Sequence, residues 1–513
     1  MKSLDADRDN QRGKTLWESG QREQAMLAWR QALASAPDSV EALTSLAWAL
    51  AQQGPTEEAT RLAQRAVEIS AADPAVRRVL GEVLFLQGQY QEAIGHYQVG
   101  VRENQGGSLL LSACLHRDLG DAYYMIGEFQ QAAEAYQRAL ALGSDEAYCR
   151  LWLGWASQQL SDRGRARHEF ERACELAPEW HEALYAAGQI HSAQGDCRRA
   201  RHYLERALQH YPEEDEEGRA AAACELGNAL RGLGEVPEAI RSYRHALSLD
   251  PTHPVARFNL GLAYGELGDH EAAIAAFEVA GQLDPSDSDI WIERGRACLE
   301  LGRHHEALEA YQTAQRICPD SAEACSGLGL AYYGLGLYET SAEHYRSGAR
   351  LAPGDPWVHY NLGLALEAAG QPVEAEHAMA EAWELGQQDC ELCLGLARAL
   401  TSQGRDLVGA ARAARRACGL DPENAEAQDA LAMALYSGGD YDAALGPAQQ
   451  AVRLLPEAAE FRYNLGLIQE SRRDLASARA SFARALQLSP GFEEAQEALQ
   501  RLEDVPGQGL MNG

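Results

Sequence analysis

The strongest constraint on this chain is a 34-residue repeat, which prolines mark along much of its length. The same interval separates the prolines of three sets: Pro178 and Pro212; Pro251, Pro285, Pro319 and Pro353; and Pro422, Pro456 and Pro490. A segment of this length buries too little surface to offset its chain entropy, so each copy must pack on its neighbours. The 513 residues are therefore expected to form a stacked array rather than separate globular domains.

Residues 254–287 show what one copy contains. Small and apolar residues recur at helical spacing in both halves, which predicts two helices joined by a turn near Gly265 to Asp269. The first half has Phe258, Leu260, Gly261 and Tyr264, and the second has Ala273, Ile274, Phe277 and Ala280, with Pro285 closing the copy. Gly and Ala are predicted to make room where helices cross, and Leu260 and Phe277 to fill the space between copies.

The same residue types recur in phase elsewhere, and the pattern resembles the tetratricopeptide repeat family. Matching sets are Leu119, Gly120, Ala132, Tyr136 and Ala139, and Leu465, Gly466, Ala478, Phe482, Ala485 and Pro490. The resemblance implies an all-α fold, a right-handed α-solenoid (superhelix) of about fourteen helical hairpins. Repeats 2 and 12 depart from the pattern, with Ala47 and Ala63 in one and Ala397 and Ala414 in the other. We expect these two repeats to be weak points.

Breaks in the proline interval place two five-residue insertions, at 108–112 and 215–219, and a one-residue insertion near Asp406. Each longer insertion exceeds one helical turn, so it should lengthen a helix or bulge a loop. We therefore predict repeats 1–3 in residues 1–107, an insertion with repeats 4–6 in 108–214, and an insertion with repeats 7–14 in 215–492. A capping helix is predicted at 491–504 and a disordered tail at 505–513.

Composition narrows the class of partner and the compartment. The net charge of −31 opposes binding to nucleic acid, whose affinity comes mainly from Lys and Arg at phosphates, and to anionic membranes. The eleven cysteines are an odd number without an overall spacing pattern, which is typical of reduced thiols. No stretch approaches the roughly 18 apolar residues of a membrane span, and the N-terminus lacks a signal-peptide core. A cytoplasmic protein without membrane insertion is expected, with its oligomeric state left open.

The resemblance also implies a concave groove lined by the first helix of each repeat. Aromatic residues are frequent at the positions that helical spacing assigns to this face, and aromatic side chains are favoured interface anchors. The alternative is that many of these rings pack against the neighbouring helix. The candidate aromatic residues are Trp17, Trp48, Phe85, Tyr124, Tyr148, Trp152, Trp155, Tyr185, Phe258, Tyr333, Trp357, Tyr360, Tyr436 and Tyr463.

Asn259, Asn361 and Asn464 occupy one position of this face, each directly before Leu-Gly. In this the repeat region is similar in style to that of the O-linked N-acetylglucosamine transferases, without the catalytic domain expected of them. The resemblance implies that such asparagines hold the backbone of an extended peptide. The alternative is that Asn-Leu-Gly simply follows the repeat consensus. The family's lysine clamp for chaperone tails is not matched, because Lys2 and Lys14 are the only lysines.

The remaining motifs give weaker indications of function. Cys390 and Cys393 have redox or zinc spacing but no second Cys or His pair, so helix packing is favoured. The acidic run at 213–217 is read as a solvated surface, with docking of an arginine-rich partner as the alternative. No nucleophile, phosphate-loop or metal-site motif occurs, so no enzyme activity, cofactor or metal is expected.

These observations predict a non-catalytic interaction scaffold or adaptor that holds an extended or helical peptide segment of a protein partner in the groove. The alternative is an accessory subunit that recruits substrates for a separately encoded transferase, either a glycosyltransferase or a kinase.

Overall fold

The structure, a computed structural model, describes residues 2–54, 56–386, 390–402, 404 and 406–503. Over these ranges it contains twenty-nine α-helices and no strand, as the repeat pattern predicts. The chain forms two compact units, Met1–Ala263 and Tyr264–Gly513, whose boundary falls inside one helix. The division into three blocks stays a prediction, and the tail predicted at 505–513 lies outside the described residues.

The first unit contains fourteen complete helices. They are α1 (Lys2–Glu18), α2 (Arg22–Ser35), α3 (Val40–Gln53), α4 (Glu57–Ile69), α5 (Pro74–Leu86), α6 (Tyr90–Glu103), α7 (Leu109–Met125), α8 (Phe129–Ala141), α9 (Glu146–Gln159), α10 (Arg163–Leu176), α11 (His181–Ala193), α12 (Cys197–His210), α13 (Glu216–Gly232) and α14 (Val236–Leu249). Helix α15 (Pro254–Glu266) contains the boundary.

The second unit continues in the same manner. Its helices are α16 (His270–Leu283), α17 (Ser288–Glu300), α18 (His304–Ile317), α19 (Ala322–Gly334), α20 (Tyr338–Leu351), α21 (Pro356–Ala368), α22 (Pro372–Glu384), α23 (Cys390–Ser402), α24 (Leu407–Leu420), α25 (Ala425–Ser437), α26 (Tyr441–Leu454), α27 (Ala459–Ser471), α28 (Leu475–Leu488) and α29 (Glu493–Glu503).

Pairs of helices form the hairpins that the repeat predicts. From α1–α2 to α13–α14, and from α17–α18 to α27–α28, each odd-numbered helix packs against the even-numbered helix that follows it. We call the odd-numbered member the first helix and the other the second helix of its hairpin. The helix predicted at the C-terminal end is α29, whose Ala498 and Leu502 pack against Phe482 and cover the core of the last hairpin.

The turn inside a hairpin combines a left-handed residue with a capping aspartate. Before α26, Gly439 has φ of 79°, and the Asp440 side chain accepts a hydrogen bond from the Ala443 amide at 3.0 Å. This aspartate satisfies one of the unpaired amides at the helix start. At the same place Ser161 and Arg473 take φ of 63° and 64°, a conformation that costs residues other than glycine.

In many hairpins the glycine of a Leu-Gly pair in the first helix makes room for a large side chain of the second helix. A Cβ at Gly154 would lie 2.5 Å from Cε1 of Phe170, whose side chain is fully buried. One ring can serve two hairpins, because Tyr311 lies against both Gly295 of its own hairpin and Gly327 of the next. The ring therefore fills space within a hairpin as well as between hairpins.

Repeats 2 and 12 replace both members of this contact together. Ala47 and Ala63 are buried in one core cluster, and Ala397 and Ala414 are buried in another. An alanine at the glycine position thus occurs where the large side chain is also absent. The paired replacement is a natural example of the same helix crossing with smaller side chains on both helices. That repeats 2 and 12 are weak points stays a prediction.

The two five-residue insertions lengthen helices. Helices α7 and α13 each have 17 residues, against 13 or 14 in the first helices α3, α5, α9 and α11. Ser108 and Asp215 are the N-caps of the lengthened helices, and their side chains accept from the amides of Leu111 and Gly218. The inserted residues therefore add about one turn at the start of a first helix.

Candidate binding surface on the first helices

The first helices lie on the inner side of each unit. Within each unit, α3 contacts α5, α17 contacts α19 and α23 contacts α25, and most other successive first helices do the same. Over the described residues, no comparable contact joins the second helices of successive hairpins. Helices that approach each other more closely must lie on the concave side of a stack. The first helices thus form the face on which binding was predicted, and the binding itself stays a prediction.

Three tryptophans cluster at the start of the first unit. Trp17 of α1 has its ring centroid 5.9 Å from that of Trp29 and 5.2 Å from that of Trp48. Trp29 is buried, whereas Trp17 and Trp48 are half-buried. The Trp48 indole nitrogen donates a hydrogen bond to Glu82 Oε1 at 2.7 Å. These residues line a cleft of about 370 Å³.

Several predicted aromatic residues pack on a ring that follows them across the hairpin turn. Phe85 lies 5.3 Å from Tyr90 between ring centroids, and Tyr124 lies 5.3 Å from Phe129. In the second unit Tyr333 packs on Tyr338, and Tyr436 on Tyr441, in the same way. These rings are half-buried and help to hold the turn, so only part of each ring is available for binding.

A second aromatic group follows on α9 and α11. The Trp152 ring lies 5.2 Å from Tyr124 and 6.1 Å from Tyr148 between centroids. Trp155 packs on buried Phe170 at 5.1 Å, and Tyr185 packs against the same core cluster. Burial raises the pKa of Tyr185 to about 12. Trp155 and Tyr185 are therefore core-facing, while Trp152 joins aromatic residues of neighbouring first helices into one surface.

Charged side chains cross the inner face of α5 and α7. Asp118 accepts from Arg78 Nε at 2.6 Å and from Arg117 Nη2 at 2.8 Å. Asp121 accepts from the Tyr136 hydroxyl at 2.8 Å and from the Tyr148 hydroxyl at 3.1 Å. Burial is the main reason that the pKa of Asp121 is raised to about 6. Both arginines are therefore paired with a carboxylate of the protein itself.

In the second unit the predicted residues differ widely in exposure. Trp357 is 44% exposed, whereas Tyr360, three residues later on α21, is only 9% exposed and lies in a core cluster. Tyr463 packs between Phe482 and Phe492, at 5.7 Å and 5.1 Å between ring centroids. Trp357 thus offers more accessible surface than Tyr360, which contributes mainly to the core.

The three asparagines already use an amide hydrogen inside the protein. Asn259 is 9% exposed and donates to Asn228 Oδ1 of the preceding first helix at 2.9 Å. Asn464 donates to both carboxylate oxygens of Asp429, at 3.1 Å and 3.0 Å. Asn361 donates to the backbone oxygen of Trp357 at 2.8 Å. Two of the three therefore link successive first helices, and Phe258, beside Asn259, is half-buried.

Sequence reasoning missed the acidic side chains of this face. Glu82, Asp121, Glu225, Glu293, Glu367 and Asp429 all lie on first helices, and burial is the main cause that raises the pKa of each. These acidic residues occupy the same positions of the repeat as the predicted aromatic residues. Helical spacing could therefore have assigned them to the inner face as well. The inner face of each unit is therefore acidic as well as aromatic.

The described residues offer no other evident chemistry. No group of three or more His, Cys, Asp or Glu side chains among them could hold a metal ion. Cys393 is buried beside Ala417 and Ala427, and half-buried Cys390 packs against the same cluster, which fits the helix-packing interpretation. None of the described helices combines the length and the apolarity that crossing a membrane requires.

Comparisons with protein families match most of the chain. Sequence models described as "Tetratricopeptide repeat" match residues 10–74, 117–179, 258–322, 293–356, 326–389, 394–456 and 430–491, 74–145 and 182–214. A model described as "TPR repeat" matches residues 227–268. One curated relative, Protein KINESIN LIGHT CHAIN-RELATED 2 from Arabidopsis thaliana, is 32% identical over 104 residues, which cover 17% of this chain and 15% of the relative.

Solved structures with a similar arrangement include three of different length. The APC/C hetero-tetramer Cut9-Hcn1 is 17% identical, with 96% of this chain and 95% of that chain covered and a TM-score of 0.38. MamA is 26% identical over 33% of this chain and 92% of its own, with a TM-score of 0.31. A tetratricopeptide repeat protein from Parabacteroides merdae is 19% identical over 50% of this chain and 98% of its own, with a TM-score of 0.40.

Proposed function

The chain belongs to the tetratricopeptide repeat family, and we propose that it is a non-catalytic scaffold or adaptor that binds a peptide segment of a protein partner on its first helices. Proteins built from these repeats generally mediate protein–protein interactions. The finer claim, that the inner face holds an extended or helical segment, is supported by the aromatic and acidic side chains gathered there. The acidic balance of the chain opposes a nucleic-acid partner.

The single observation that carries this proposal is the accessible aromatic surface on the first helices. Trp17, Trp48 and Trp152 are half-buried, so each ring is fixed by neighbours and still presents surface to solvent. Trp357 presents the most among the second unit's candidates, with 44% exposed. Rings fixed before binding lose little conformational entropy when a partner arrives, which makes them effective anchors.

The asparagines and carboxylates contribute the polar part of the proposed site. Asn361 and Asn464 are half-buried on first helices, and Asn361 lies one turn after Trp357 on α21. A peptide backbone presents both donors and acceptors, which such amides match. We place the protein in the cytoplasm, since eleven cysteines without a disulfide pattern fit a reducing compartment.

The proposal is tested by removing one exposed ring without disturbing the core. Trp357→Ala keeps the backbone oxygen that accepts from Asn361 and removes the indole. The matched control is Val373→Ala on α22, because Val373 is 56% exposed on the second helix of the same hairpin. Tagged full-length chains are expressed at equal level in the source organism, and co-purified proteins are quantified by mass spectrometry.

We expect Trp357→Ala to lower recovery of a specific set of proteins at least fivefold, the effect of about 1 kcal/mol at an interface anchor. Val373→Ala should leave the same set unchanged. Equal recovery in all three chains, or a loss confined to Val373→Ala, would show that the first helices of this unit do not carry binding.

A further inference from the structure

We propose that the cleft between α1, α3 and α5 receives a cationic side chain of the partner segment, an arginine or a lysine. Its contacts would be the indole rings of Trp17 and Trp48 and the carboxylates of Glu18 and Glu82. The inference rests on the proposed peptide binding and names the chemistry that this part of the surface recognises.

The shape of the cleft fits one side chain. Its volume of about 370 Å³ lies near the lower end of ligand pockets, which span roughly 300–1,000 Å³. The three tryptophans form its apolar part, and Thr44, Ser45 and Val79 complete the lining together with charged residues. This volume is enough for one long side chain, while the rest of the partner segment would lie outside the cleft.

The aromatic walls suit a cation. Tryptophan is the best partner for an ammonium or guanidinium group over its ring face. The protein already uses this property at the same residue, because the guanidinium carbon of Arg22 lies 5.6 Å from the centroid of the Trp17 ring. Arg22 is not part of the cleft lining. The edge-to-face arrangement of Trp17 and Trp48, with an interplanar angle of 62°, fixes both rings before a ligand enters.

The charges that line the cleft leave its acidic side chains under-compensated. Lys14 pairs with Glu41 at 3.4 Å and Arg78 with Asp118 at 2.6 Å, and neither of these carboxylates lines the cleft. Arg78 Nη2 lies 3.8 Å from Glu82 Oε2, which is near the outer limit of an ion pair. Glu18 has no ion-pair partner among the described residues. The cations of the cleft thus have closer carboxylate partners outside its lining. Within the described chain Glu18 has no ion pair, and Glu82, which accepts from Trp48 and Gln52, has only the long ion pair with Arg78.

Glu82 shows the same imbalance in its protonation. Burial is the first cause that raises the pKa of Glu82, ahead of the opposing effects of Arg78 and of the hydrogen bond from Trp48. A second cation beside Glu82 would supply the missing stabilisation of its charged form. An acidic side chain in the cleft would instead meet Glu18 and Glu82 and be repelled. An apolar side chain would desolvate Glu82 further without replacing the lost water.

The experiment uses the full-length chain labelled with 5-fluorotryptophan. The Trp17 and Trp48 fluorine resonances are assigned from Trp17→Phe and Trp48→Phe chains among the nine tryptophans. The probes are acetyl-arginine amide, its neutral isostere acetyl-citrulline amide, and acetyl-leucine amide, each titrated at low salt. The Glu82→Gln chain keeps an oxygen that accepts from the Trp48 indole and loses the charge, and Glu68→Gln, on exposed α4 surface, removes an equal charge away from the cleft.

We expect the arginine probe to shift both resonances with a saturable curve and the citrulline probe to bind at least about fivefold more weakly. Glu82→Gln should weaken the arginine probe by a similar factor, Glu68→Gln should not, and raising the salt concentration should weaken binding. Equal binding of the citrulline or leucine probe would overturn the inference and leave the proposed peptide surface standing. Absence of any saturable shift would also overturn it, whereas the Trp357 test in the other unit reports on the proposed function independently.

Discussion

A double-mutant cycle at Gly154 and Phe170 tests whether the glycine of the repeat exists to accommodate the large side chain opposite. Gly154→Ala adds a Cβ that would lie 2.5 Å from Cε1 and 2.6 Å from Cδ1 of Phe170. Real Cβ atoms do not approach carbon so closely, so the ring must move. Because Phe170 is fully buried and Trp155 packs on it at 5.1 Å, the ring has little space to move into.

The expected magnitudes follow from this geometry. Gly154→Ala overpacks the crossing and should cost about 1–3 kcal/mol, although alanine is otherwise worth about 1 kcal/mol over glycine in a helix. Phe170→Ala leaves a cavity and should cost about 3–5 kcal/mol. In the double mutant the clash is gone and the new methyl group fills part of the cavity. Its cost should therefore fall below the sum of the single costs by at least about 1 kcal/mol.

Native-state hydrogen exchange measures the cycle locally, which matters because a long repeat array does not unfold as one two-state unit. Opening free energies are compared for amides in α9, α10 and α11 in the four chains. Additive costs, within about 0.5 kcal/mol, would refute the account of the glycine. The natural double replacement at Ala397 and Ala414, both buried, already has the arrangement that the double mutant imitates.

Two further predictions concern single residues. Burial raises the pKa of Asp429 to about 6, so its stabilising contribution is present below about pH 4 and is lost as pH rises through 6. From pH 5 to 7, exchange protection in α25 and α27 should therefore fall by about 1 kcal/mol more in the natural chain than in Asp429→Asn. An equal pH dependence of the two chains would contradict this. Arg473 has φ of 64° where most other hairpins have glycine, so Arg473→Gly should stabilise α27 and α28 by about 1 kcal/mol. Unchanged or reduced exchange protection in these helices would contradict the strain.

The repeat made much of the fold predictable. A proline interval and a fixed order of small and large residues are local signals, so helices such as α21 and the closing helix α29 could be assigned from spacing alone. The lengthened α7 and α13 were predicted only as a lengthened helix or a bulged loop. The choice between them depends on N-caps such as Ser108 and Asp215, which start the helix one turn earlier.

The exposure of individual side chains was harder to predict. Trp357 and Tyr360 are three residues apart on one helix and were assigned to the same face, yet 44% of the first and 9% of the second is exposed. Spacing gives the direction of a side chain about its own helix, but burial depends on how closely the next hairpin approaches. Only the packed structure supplies that distance.

The polar contacts of the inner face were also beyond the sequence. Asn259 pairs with Asn228, and Asn464 pairs with Asp429 35 residues earlier. These pairs join different positions of successive repeats, so the repeat spacing does not predict them. Their existence changes the interpretation of the asparagines, because part of their hydrogen-bonding capacity stabilises the stack before any peptide is bound.

Site-specific photo-crosslinking tests the central claim, binding on the first helices, most directly. Benzoylphenylalanine is introduced at Tyr124 and Trp357 on first helices, and at Glu134 and Val373, exposed residues on second helices, in the full-length chain in its source organism. The account predicts that the first-helix position of each unit crosslinks to a partner protein and that the second-helix position of the same unit does not. Crosslinks to the partner mainly from Glu134 and Val373 would contradict it.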